Sequence, residues 1–199
     1  MDAKTKIIKA AIKVFLMKGF EATSINDVVE ESKISKGGIY HHFKNKKELF
    51  LKTIDFMFDE FEKWEMAMYT KYSNIKDILK TYFASLSYIH EFVTELAGSE
   101  EIEIDSFYML MMDAFVKFPQ IKKKHAKTHQ DSLQYFIALL ENAKKEGKIK
   151  ENLDCATLAF MINAVAEGTV LYHILNEKID LDAMGDKIFR TIWQGIARE

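Results

Sequence analysis

A chain of 199 residues has room for one large domain or a small one beside a medium one, and 48% hydrophobic content suffices for a full core. One proline and eight glycines leave little material for an all-β fold or long linkers, and the single cysteine, Cys155, excludes an internal disulfide and suits a reducing cytosol. The net charge of −2 averages two unlike parts: residues 1–50 hold ten lysines against six carboxylates, the rest 18 basic against 24 acidic side chains, the asymmetry expected where one end meets phosphate.

The opening Met1-Asp2-Ala3-Lys4-Thr5-Lys6 leads straight into an amphipathic helix, so no targeting signal is expected there. That first helix is predicted from Thr5 to Lys18, with Ile7, Ala10, Ala11, Val14 and Phe15 on its buried stripe and Lys6, Lys9 and Lys13 facing out. Gly19 stands where a left-handed C-terminal cap is expected. From Thr23 to Glu48 the pattern predicts two short helices joined by a tight turn. Ser24 can cap the first, with Asp27 three residues on near the positive helix end, and Ser35 can cap the second. Ile25, Val28, Val29, Ile34, Ile39, Tyr40 and Phe43 are spaced to share one buried face. Lys36, His41 and His42 stay outside, and Gly37 and Gly38 let a backbone approach closely, at about 1 kcal/mol of helix propensity each. This is the layout of a helix-turn-helix whose second helix enters a major groove.

At these residues the chain resembles the TetR family of one-component regulators. The likeness covers about Thr5 to Leu49: the Gly19-Phe20 turn, the Thr23-Ser24-Ile25 start, Ile34-Ser35-Lys36-Gly37, the Tyr40-His41-His42-Phe43 core and the Asn45-Lys46-Lys47-Glu48-Leu49 exit. The resemblance implies phosphate contacts at Ser24, Tyr40, His42 and Lys46 and base reading at Lys36, Gly37 and His41; Thr23 joins Ser24 at the helix start as a further contact. Position 38 departs from the pattern, being Gly where relatives often carry a small hydroxyl residue.

Asn45 followed by Glu48 reads as a capping box opening a fourth helix that runs to around Tyr72. Its Phe50, Phe56, Met57, Phe58, Phe61 and Trp64 exceed what a DNA-binding module alone would bury, so it joins that module to a body. Asn74 with Asp77 opens a fifth helix to about Leu96, closed by Gly98, and Ser99 with Glu100 and Glu101 starts a sixth. Pro119 suits the first turn of a seventh, ending at Gly147. Asp154 caps an eighth to about Leu175, and Asp180 or Asp182 a ninth reaching Ala197. The expected fold is all-α: about nine helices, with a three-helix helix-turn-helix domain at 1–46 and a larger ligand-binding and dimerisation domain at 47–199.

The eighth helix is apolar on every side, which predicts burial on every side. Asn163, Glu167 and His173 interrupt it, against a membrane span of ~20 apolar residues. Its second side is therefore expected to meet another subunit, with Ala159, Ala166 and Gly168 allowing close approach, and Phe189 and Trp193 on the ninth helix adding a stripe. The resemblance implies the same homodimer. It also implies a small effector in the body, where Phe83, Phe92, Tyr108, Met111, Met112, Phe136 and Met161 supply adaptable apolar lining. Asn163 and Glu167, four apart on one face, either orient a ligand's polar group or bond across the subunit interface; His90 and Tyr108 are further polar candidates. His125 and His129 have metal-ligand spacing but lie among lysines without an intervening Glu, so a solvated helix face is expected and no metal. No catalytic triad or phosphate loop is readable, and no cofactor is expected. The reading is a cytoplasmic repressor, not an enzyme, dimeric on a palindromic double-stranded operator and released by a largely apolar effector. The alternative is a ligand-independent DNA-binding or architectural protein whose body only dimerises.

Overall fold

The computed structural model describes residues 2–198, so that Met1 of the opening stretch and Glu199 lie outside it. Among the described residues the helices are α1 Ala3–Ala22, α2 Ile25–Ser32, α3 Lys36–His42, α4 Lys46–Lys71, α5 Ile75–Ala84, α6 Ile89–Ala97, α7 Ile104–Lys117, α8 Pro119–Lys145, α9 Cys155–Leu175 and α10 Leu181–Ile196. The fold is all-α; an isolated antiparallel bridge between Ile149 and Ala197 is its extended pairing among those residues.

Most helix starts coincide with a side chain able to satisfy the free N–H groups of a first turn. Asn74 accepts from the Asp77 amide at 2.9 Å, Asp154 from Thr157 at 2.8 Å and Asp180 from Ala183 at 3.0 Å. At the start of α4, Asn45 accepts from the Glu48 amide at 2.9 Å, while the Glu48 carboxylate reaches back to the Lys44 amide rather than to that of Asn45. Gly19 has a positive φ of 72° as expected, but its ψ of 173° is extended rather than left-handed helical. Only glycine enters that region freely, so α1 kinks there.

Beyond α1, which continues past Gly19 to Ala22, two boundaries differ from expectation. The predicted fifth helix is α5 and α6 with a 3₁₀ turn, Ser85–Tyr88, between them. Ser85 Oγ donates to the Tyr82 carbonyl at 2.7 Å and Ser87 Oγ to Ala84 at 3.1 Å, which tightens the backbone toward three-residue spacing. The predicted sixth helix begins at Ile104 rather than Ser99, because Ile102 and Ile104 are buried anchors and Glu103, at the N-cap, makes no side-chain capping bond.

The chain forms two compact units. The first comprises residues up to Lys63 with His90–His125. Its core joins Ile7, Ile12 and Phe15 of α1 to Val28 of α2, Ile39 of α3, Phe50 and Ile54 of α4 and Ala114 of α7. The Phe118 ring, at the α7–α8 corner, lies 5.2 Å from Phe20 and 5.3 Å from Phe50. The second unit comprises Trp64–Ile89 with residues from Ala126 onward. There α10 packs on α5, the 3₁₀ turn and α9, and Tyr69, Tyr82 and Phe136 stack at 5.7–6.3 Å. Cys155 is buried in this unit.

Candidate nucleic-acid interface

The helix-turn-helix is held by local bonds. Ser24 Oγ accepts from the Asp27 amide at 3.2 Å, and the Asp27 carboxylate accepts from the Ser24 amide at 2.6 Å, completing a capping box. Lys18 Nζ donates to the other Asp27 oxygen at 2.6 Å. Together the Lys18 ammonium and the Ser24 donors hold the Asp27 carboxyl well below the usual carboxylate range. Lys33 closes α2 in a left-handed conformation (φ 57°), and Ser35 Oγ accepts from the Gly38 amide at 3.2 Å to open α3.

With Ile39 and Phe43 buried beneath it, α3 turns Lys36, Gly37, Tyr40 and His41 outward; Tyr40 is 46% exposed, and His42 is half-buried with its ring 5.1 Å from that of His41. The two glycines differ. A Cβ on Gly37 would meet nothing within 4 Å, so its backbone is bare on the outer side. A Cβ on Gly38 would come 2.8 Å from Ile34 Cγ2, which gives a packing reason for the missing hydroxyl residue.

Thr23 and Lys46 turn inward. Thr23 is buried and its Oγ1 donates to the Gly19 carbonyl at 2.7 Å. Lys46 Nζ donates to the carbonyls of Phe20 (2.8 Å), Glu21 (3.1 Å) and Thr23 (2.9 Å) and stands 4.5 Å over the Phe20 ring. Its three N–H donors thereby close the α1–α2 turn onto the start of α4. Lys117 bridges from the α7–α8 corner to Glu21 at 3.0 Å, and Lys47, at the start of α4, lies 5.6 Å over the Phe118 ring of that corner.

The ligand-pocket candidates divide between the units. In the first, Met111 is buried, Phe92 and Tyr108 are partly buried, and Met112 is exposed. In the second, Phe83 and Phe136 are buried and Met161 and Glu167 exposed. Asn163 accepts from the Tyr82 hydroxyl at 3.0 Å and donates to the Ala159 carbonyl at 2.9 Å, so its amide is bonded within its own unit. Nearby, burial pushes the Glu65 carboxyl up, and Tyr69 donates to it at 3.0 Å.

Of the dimer candidates, Ala159, Ala166 and Phe189 are buried within the chain's own second unit, and Gly168 and Trp193 are half-buried. The exposed apolar face of α9 is instead made by Phe160, Met161, Val165, Leu171, Tyr172 and Leu175. By length and composition α9 is also long and apolar enough to cross a membrane, as the core helix of a soluble protein can be.

His125 overturns the expectation of a solvated face shared with His129. It is 8% exposed, its ring stacks on Phe58, and Phe115 lies 5.8 Å away. Burial and the Lys124 charge push its pKa down to about 4. A signal for this was present: Phe118, Ile121 and His125 fall at helical spacing on one face.

Residues 7–53 match the family of bacterial regulatory proteins known as the tetR family. The chain is 30% identical over 173 residues to the HTH-type transcriptional regulator YuxN of Bacillus subtilis (strain 168), covering 84% of this chain but 54% of that protein. It is 28% identical over 159 residues to the HTH-type transcriptional repressor ComR of Escherichia coli (strain K12), covering 79% of this chain and 73% of ComR. In fold it is similar to the regulator FadR from Bacillus subtilis, solved in complex with stearoyl-CoA, with a TM-score of 0.69 and 18% identity over 96% of this chain and 98% of that one.

Proposed function

This chain is a TetR-family transcriptional regulator, and on that premise we propose that it is a repressor, dimeric on a palindromic operator and released by a small, largely apolar effector. Its DNA-binding domain is residues 1–46, and residues 47–199 bind the effector and dimerise in the cytoplasm. The observation that carries the reading is the outer face of α3, where Lys36, bare Gly37, Tyr40 and His41 stand together above a buried Ile39 and Phe43. Major-groove edges are read by such a face, while Ser24, Tyr40 and His42 hold phosphates that set its register. Two heads in one dimer place their reading helices about 34–36 Å apart, one turn of B-DNA.

Release follows from what the head rests on. The end of α1 is joined to the α7–α8 corner through Phe118 and Lys117, and the start of α4 through Lys47, so an effector that shifts α7 or α8 against α4 displaces the head. Coupling of ~1–3 kcal/mol between effector and operator suffices to empty the operator. ComR, a repressor, supports the repressor reading by similarity, and FadR, solved with stearoyl-CoA, supports control by a bound molecule.

Selection from a random duplex library by the full-length protein tests it. The expected product is an inverted repeat with half-sites one helical turn apart. Lys36→Ala or His41→Ala relaxes preference at one or two positions per half-site, at ~1–3 kcal/mol each. Enrichment of no inverted repeat would defeat the proposal.

A further inference from the structure

The outer face of α7 is apolar and uncovered. Asp105, Met109, Met112 and Val116 follow one another at intervals of four, three and four residues, so they form one stripe along the helix. The stripe lies opposite the buried Phe107 and Ala114, and Met109, Met112 and Val116 are each more than half exposed. Large apolar side chains set in a row on one helix face mark an interaction surface, where single scattered ones do not. The two ends of the stripe carry opposite charge. Glu100, Glu101, Glu103 and Asp105 stand exposed at its start, and Glu103 makes no side-chain capping bond. Lys117 ends the helix, with Lys122 and Lys123 exposed just past the Phe118 corner. Acid at the start and base at the end suit the helix's own dipole, but that account leaves the apolar middle unexplained.

We propose that this face is covered by α7 of a second copy of the chain, packed antiparallel across the dyad between the two reading heads on the operator. The layout is self-complementary in that direction alone. Antiparallel, Met112 meets its own counterpart at the dyad, Met109 meets the partner's Val116, and each acidic start meets a basic end. Parallel, four carboxylates would face four more, and such a pairing is disfavoured. Asp113, beside the dyad, is already neutralised by Lys117 at 3.1 Å. The distances suit a dimer on B-DNA. Because α3 packs on α1 and α1 on α7, the stripe stands two helix spacings of about 8–10 Å from the reading helix. Half the separation of two reading helices one turn apart is about 17 Å. Three side chains a copy bury less than the about 1,000 Å² of a lasting interface, so the pairing acts between copies already joined. The inference rests on the operator-bound dimer proposed above and deepens it, because paired α7 helices tie the two heads together through the corner on which each rests.

The test is disulfide bridging between cysteines introduced singly into the full chain, whose own Cys155 is buried, under mild oxidation on a selected inverted-repeat duplex. A disulfide needs Cα atoms within about 4.4–6.8 Å. Met112→Cys is expected to bridge to itself at least tenfold faster than Met17→Cys, a control of nearly equal exposure (54% against 56%) in the same unit. Co-expressed Met109→Cys and Val116→Cys chains should bridge to each other and neither to itself, since the antiparallel register sets like positions about 10 Å apart along the axis. Glu103→Lys with Asp105→Lys should slow the Met112→Cys bridge at least fivefold. Self-bridging at 109 and 116 as fast as at 112, or a rate unmoved by the two charge reversals, would overturn the pairing. Binding to the duplex separates the failures. A chain that grips the inverted repeat yet bridges no faster at Met112→Cys than at Met17→Cys loses the pairing and keeps the operator reading. One that selects no inverted repeat loses the operator reading, and the pairing with it.

Discussion

At the scale of single residues, what reads from sequence is what acts over three or four positions. Ser24 with Asp27, and Ser35 ahead of Gly38, are capping pairs whose partners lie in the same turn, and the structure places them as the spacing demands. Lys46 is the opposite case, since its ammonium is spent on carbonyls 23 to 26 residues earlier in the chain. No local pattern reveals that, and a lysine at a helix start beside a DNA-reading element looks like a phosphate contact. The two roles predict different salt behaviour. Lys46→Met should lower unfolding stability by about 2 kcal/mol, as expected when charge-assisted bonds to backbone are lost. It should weaken operator binding by the same factor at every salt concentration, because the turn loosens while no phosphate contact disappears. A drop of about 1 per protomer in the slope of log affinity against log salt would show instead that the ammonium leaves the turn for phosphate on the operator.

At the scale of elements, helices with a polar cap or a glycine stop were legible, and those bounded by burial alone were not. Asn74, Pro119, Gly147, Asp154 and Asp180 mark their boundaries, whereas the start of α7 depends on Ile102 and Ile104 finding a core that the local sequence does not contain. Glycines inside α10 pose the same difficulty, since Gly185 and Gly195 look alike in sequence. A Cβ on Gly185 would fall 2.3 Å from the Phe83 carbonyl oxygen and 3.1 Å from its carbon, both backbone atoms of α5 that cannot swing aside. A Cβ on Gly195 would meet nothing within 4 Å. Alanine gains about 1 kcal/mol over glycine in a helix interior, and overpacking costs roughly 1–3 kcal/mol. Gly195→Ala should therefore raise the melting temperature, while Gly185→Ala lowers it because the obstruction is backbone. Thermal melts of the two variants decide the matter; a Gly185→Ala protein as stable as Gly195→Ala would mean that α10 does not sit this close to α5.

At the scale of the whole molecule, the apolar character of α9 was readable but its orientation was not. A helix apolar all round gives no phase to its own pattern, so the small residues Ala159 and Ala166 looked like the seam for a second subunit. In the fold they pack inward with Leu158, Ile162 and Val170, and the uncovered side is the larger one. Phe160 is 65% exposed and Tyr172 67%, with Met161, Val165, Leu171 and Leu175 around them. A dimer built on α9 thus buries Phe160 and Tyr172 rather than Ala159 and Ala166, and charges at those two positions should prevent it. Phe160→Glu combined with Tyr172→Glu is expected to leave a folded monomer by sedimentation, since neither side chain supports its own core. Operator affinity should then fall by at least about a hundredfold, because two linked heads bind as one event and separated heads do not. Phe189→Ala works in the other direction: it removes a ring from the chain's own core, lowers stability by about 3–5 kcal/mol and leaves the oligomeric state of the folded fraction as it was. A double-glutamate variant that still sediments as a dimer would move the interface off this face of α9.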